Sequence, residues 1–162
     1  MIPLIIVISF LLDGVLSNFL SNTIFIPLFS IVSIVVLYPF FNNNVNKFII
    51  VSSIVGLFFD IIYTNSLFIN VFSFLLCSLV IIYINKFIKN SIISISLLNI
   101  LSIIVYRIIS YFLLCLFDYL RFDENILLSG IYCSLLSNVI YGISLYCICE
   151  YVHKKFKLKK AD

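Results

Sequence analysis

The sequence predicts an all-α fold, a polytopic membrane bundle of about six transmembrane helices, on three observations. Hydrophobic residues make up 64% of the 162 residues and charged residues only 10%, with a mean hydropathy of +1.26. That leaves too little polar surface to cover a water-soluble globule of this size, so the solvent is lipid. The apolar residues form runs close to the roughly 20 residues that cross a bilayer, with most charges falling between the runs. Polar residues inside the runs recur at spacings of three and four, which puts them on one face of a helix.

The qualifying runs are residues 2–20, 24–41, 46–63, 67–88, 92–120 and 125–151. The first lacks a basic leader and carries Asp13 in its middle, so it reads as a membrane helix instead of a cleaved signal. Ser21 and Asn22 mark a tight first hairpin; Asn42, Asn43 and Asn44 mark the second turn, Thr64, Asn65 and Ser66 the third, and Asn90 and Ser91 the fourth. The fifth connection holds Asp118, Arg121, Asp123 and Glu124. Pro27 and Pro39 sit near the ends of the second run, where they disturb few helix bonds. No internal repeat is visible. Residues 1–152 thus read as one transmembrane domain and 153–162 as a basic cytoplasmic tail.

With six spans, Lys47, Lys86, Lys89 and the tail lysines Lys154, Lys155, Lys157, Lys159 and Lys160 all fall on one side. The excess of lysine on that side places both termini in the cytoplasm. The tail lacks a folded basic face for nucleic acid, and attraction to an anionic leaflet is the more economical reading.

Five of the six runs carry a polar or small-residue line that is expected to turn inward. Ser9, Asp13 and Ser17 form the first, and Ser53, Gly56, Asp60 and Tyr63 or Thr64 the next. Asn70, Ser73 and Cys77 follow, then Asn99, Tyr106 and Ser110, then Gly130, Ser134, Asn138 and Tyr141. The second run shows only Ser30 and Ser33 and is expected to face lipid broadly. Asp13, Asp60 and Arg107 lie roughly 17, 20 and 23 Å into the membrane, counted at ~1.5 Å per residue from the cytoplasmic ends. A lone charge there costs at least ~2.5 kcal/mol, so opposite signs at matched depth suggest an intramembrane charge network in which Arg107 contacts Asp13, Asp60 or both. The plainer alternatives are that Asp60 reaches water at the nearby turn and that Arg107 snorkels to the interface.

Catalysis finds little support. The only histidine, His153, is in the tail, there are only four glycines, and no phosphate loop is present. Cys77, Cys115, Cys133, Cys147 and Cys149 lack CxxC spacing and read as small buried hydrophobes. No metal or cofactor is expected.

The stretch from Gly56 to Val71, GLFFDIIYTNSLFINV, resembles the signature region of the rod shape-determining protein MreD family. In that family a G-x-x-x-D ends one membrane helix and a short turn leads into the next. Gly56 and Asp60 match the core of the motif, and Tyr63 and Thr64 match the form common in low-GC Gram-positive relatives. The family usually has a glycine where this chain has Phe68. The resemblance implies a non-enzymatic subunit of the cell-elongation machinery in the bacterial cytoplasmic membrane. Such a subunit binds the single-span protein MreC and acts alongside MreB, RodA and a class B penicillin-binding protein to position and regulate side-wall peptidoglycan synthesis. Whether it forms a homodimer is left open. The family's fold is also similar to the S component of energy-coupling-factor transporters, which supplies the competing reading, a vitamin-binding subunit. The short turns argue against a lid over such a pocket. Docking of a partner's helix is expected on the second span or on the polar edge of the third and fourth.

Overall fold

The computed structural model describes residues 2–19, 27–41, 44–64, 68–87 and 91–156. Ser21, Asn22, Asn42, Asn43, Asn65, Ser66, Lys89, Asn90, Lys157, Lys159 and Lys160, which carried the turn, lysine-clustering and tail readings, lie outside them. Among the described residues there are six α-helices and no strand. They are α1 (Ile2–Phe19), α2 (Phe29–Leu37), α3 (Val45–Phe59), α4 (Ile69–Asn85), α5 (Ile92–Leu116) and α6 (Glu124–Phe156). A 3-10 turn, Tyr38–Phe41, extends α2, and a π-helical turn, Asp60–Thr64, extends α3. Four segments are long and apolar enough to cross a membrane: Ile2–Phe19, Val45–Thr64, Ile92–Leu116 and Glu124–Lys155. Phe29–Phe41 and Ile69–Asn85 are shorter apolar helices.

The outer surface is apolar, as a lipid solvent demands. Val7, Leu11, Ile54, Ile61 and Leu136 are all exposed. The polar lines turn inward instead: Ser9, Asp13, Asp60, Asn70, Ser73, Cys77, Asn99, Tyr106, Ser134 and Asn138 are buried. In the α3 line the buried serine is Ser52, with Ser53 half-buried, and Ser17 at the end of α1 is exposed.

The second span departs most from expectation. Far from facing lipid, α2 is the core of the bundle, with all nine residues buried and packed among α1, α5 and α6. Its helix begins only at Phe29, after the non-helical Pro27 and Leu28. With the 3-10 turn it spans only about 20 Å, short of the ~30 Å hydrocarbon core. Because lipid tails and a protein interior are equally apolar, a run such as FSIVSIVVL carries no mark of which one it will meet.

Aromatic contacts gather one end of the bundle. Tyr38 and Phe41 pack on Phe48 with centroids 4.8 and 5.4 Å apart, and Phe40 meets His153 at 5.7 Å. The end of α2, the start of α3 and the end of α6 therefore lie together, with Lys47 and the Glu150–Lys154 ion pair (3.1 Å) at that end. Helices that start there cap themselves: the Asn44 side chain accepts from Lys47 N and that of Ser91 from Ser94 N.

Candidate functional site

At the opposite end, α2 and α4 start without a side-chain cap of their own; their N-cap positions are Leu28 and Phe68. Four amides at each helix start have no intrahelical partner, and in an apolar interior each unpaired one is costly. Aspartates from the preceding helices fill this role. Asp13 Oδ1 accepts from Phe29 N at 2.6 Å and Oδ2 accepts from Ser30 N at 2.8 Å, with the Ser30 hydroxyl donating to Oδ2 as well. Asn138 of α6 completes the collar, its Oδ1 accepting from Leu28 N at 2.7 Å. A negative charge at a helix N-terminus also meets the positive end of the helix dipole.

Asp60 does the same for α4. Its Oδ1 accepts from Asn70 N at 3.0 Å and from Asn70 Nδ2 at 2.9 Å, and its Oδ2 accepts from Val71 N at 3.1 Å. Thr64 Oγ1 lies 3.3 Å from Asp60 Oδ1. The network continues through Asn70, whose Oδ1 accepts from the Tyr106 hydroxyl of α5 at 2.6 Å. Gly56 makes the approach of α4 feasible: a Cβ there would sit 2.8 Å from the Asn70 carbonyl oxygen and 2.9 Å from Val71 Cα. The spacing G-x-x-x-D is thus one turn of helix that offers first a gap and then an acceptor to the same backbone.

Tyr63 turns toward α1. Its hydroxyl donates to the Phe10 carbonyl at 2.7 Å, and its ring lies over Gly14, where a Cβ would meet it at 2.5–2.9 Å. Phe68 adopts the left-handed conformation, φ 72°. Glycine meets that backbone conformation freely, whereas phenylalanine meets it only under strain.

The structure does not join the three charges as expected. Asp13 and Asp60 are both buried, at 3% and 2% exposure, but each engages a helix start. Arg107 makes no ion pair with either; its Nε and Nη2 are buried without a hydrogen-bond partner. It lines a cavity of about 410 Å³ shared with Asp13, Tyr63, Asn70 and Tyr106. The physical reason is that backbone amides already meet the carboxylates, so depth alone did not identify their partners. Sequence reasoning missed Phe29 and Ser30 as the recipients of Asp13. The available signal was Pro27, since proline beside a helix start and serine in its first turn mark an N-terminus.

Among the described residues no cluster of three or more His, Cys, Asp or Glu is placed to hold a metal ion. Cys77 and Cys149 are buried and Cys147 is exposed, and all are free thiols. No protein-family model matches the sequence, and no curated protein or solved structure is significantly similar to it.

Proposed function

We propose that this chain is a non-enzymatic subunit of a bacterial cell-elongation complex, an MreD-like protein that docks an MreC-like partner and helps position side-wall peptidoglycan synthesis. The observation that carries the reading is the segment 56–71. The residues behind its resemblance to that family are Gly56, Asp60, Tyr63 and Thr64, and three of them act with Asn70 and Val71 as one lock between α3 and α4. Tyr63 ties the same lock to α1. The polar groups at this end hold helices together, as suits a rigid docking body.

In this reading all six helices belong to the membrane domain of a cytoplasmic-membrane protein. The Lys47 end faces the cytoplasm by the positive-inside rule, and MreB, RodA and a class B penicillin-binding protein are further members of the assembly. The two docking faces expected from sequence are unavailable: α2 is buried, and the polar edges of α3 and α4 face each other. The partner's single transmembrane helix is placed instead along the groove between α1 and α3. That groove is lined by Pro3, Val7, Leu11, Val51, Ile54 and Phe58, and its accessible lining is wholly apolar.

A photo-crosslinking side chain at Leu11, followed by affinity purification, tests this. Recovery of an MreC-like protein, lost when the crosslinker moves to Ile140 on α6, is the expected result. Recovery of a vitamin with no such partner would replace this reading with the transporter S component.

A further inference from the structure

We propose that the cavity beside Arg107 is a phosphate-binding site with Arg107 as its cationic anchor. A guanidinium stays charged under all conditions a protein meets, and a buried charge requires a counter-charge or hydrogen bonds. Arg107 has neither at Nε and Nη2.

Among the described residues no carboxylate pairs with it. On the cavity wall, both oxygens of Asp13 are held by the start of α2; the Asp60 carboxylate, which is not part of that wall, is held by the start of α4. Asp118, Asp123 and Glu124 are exposed on the α5–α6 connection. Residues 20–26 and 65–67, which precede α2 and α4, contain no acidic residue.

Space for a ligand is present on both sides of the arginine. Arg107, Ser110 and Leu114 line the cavity of about 410 Å³ and also a neighbouring one of about 290 Å³. These volumes fall near the ~300–1,000 Å³ typical of small-ligand sites. The walls combine hydroxyls, Ser110 and Tyr119, with apolar Leu28, Ile69 and Leu114, a lining suited to an anion that carries an apolar portion. The planar fork of arginine matches phosphate oxygens in pairs, and a bilayer presents phosphate at high density. Two sources share this chemistry: a phospholipid headgroup drawn in along the apolar wall, or soluble phosphate.

The test uses the full chain. In the first arm, the protein is released from phosphatidylglycerol nanodiscs and weighed intact by native mass spectrometry. In the second, its melting temperature is followed in maltoside micelles as inorganic phosphate is added. A lipid source gives a retained phospholipid adduct that falls about tenfold in Arg107→Gln, a loss on the scale of one charged hydrogen bond. A soluble source gives a phosphate-dependent rise in melting temperature that Arg107→Gln abolishes. Should that variant fail to fold, Ser110→Leu keeps the charge and fills the space, and it must lose the same signal. Adduct and melting behaviour that are the same in the unaltered chain and the folded variants would overturn the proposal.

Discussion

The hairpins α1–α2 and α3–α4 solve one problem in two ways. In both, an aspartate of the first helix caps the start of the second. Asp60 reaches amides only 10 and 11 residues ahead, and its neighbours Gly56 and Thr64 belong to the same turn-and-return. Asp13 reaches 16 and 17 residues ahead and shares its helix with Asn138, which lies 110 residues from Leu28. The α4 start is therefore capped from within its own hairpin, whereas the α2 start also needs α6. A local device leaves a short sequence motif. A distributed one leaves isolated polar residues.

Breaking the caps should rank them. Asp60→Ala removes the acceptor of three α4 donors, and a loss of about 3 kcal/mol is expected at typical values for such bonds in membranes and to charged groups. Unfolding in dodecyl sulfate followed by circular dichroism measures it. Asp13→Ala orphans two amides and the Ser30 hydroxyl; the hydroxyl can rotate toward another acceptor, so a smaller loss of about 2 kcal/mol is expected. The double change Asp13→Ala with Asn138→Ala should exceed the sum of the single losses by about 1 kcal/mol in the same assay. Strict additivity would show that the two acceptors hold α2 independently.

The glycines sharpen the contrast. Gly56→Ala places its methyl against backbone atoms of Asn70 and Val71, which cannot step aside, and a loss of about 2 kcal/mol is expected from such overpacking. Gly14→Ala meets only the Tyr63 ring, which can swing away, so its loss should stay below about 1 kcal/mol. Equal losses would mean that the α1–α3 contact at Gly14 is as tight as the α3–α4 contact at Gly56. The smallest effect is a gain: Phe68→Gly relieves the left-handed backbone at an exposed side chain, raising stability by about 0.5–1 kcal/mol in the same titration.

Much of this was legible in the sequence. Lines of small and polar residues must face inward in lipid, so Ser9, Asp13, Asp60, Asn70, Asn99 and Asn138 identified themselves as interior. Run lengths located α1, α3, α5 and α6 within a few residues at most ends. The position of α2 was hidden for the reason that makes membranes distinctive: hydrophobicity separates lipid from water, not lipid from protein. The partners of the aspartates were hidden because helix amides carry no side-chain signature. Charge-matching therefore paired Arg107 with carboxylates that the backbone had already engaged.

The collar around the start of α2 also sets an order of events during synthesis. Leu28 leaves the ribosome 110 residues ahead of Asn138, whose side-chain oxygen accepts its N–H. The buried rod α2 is thus completed by α6, and nascent intermediates must carry an unfinished centre until α6 arrives.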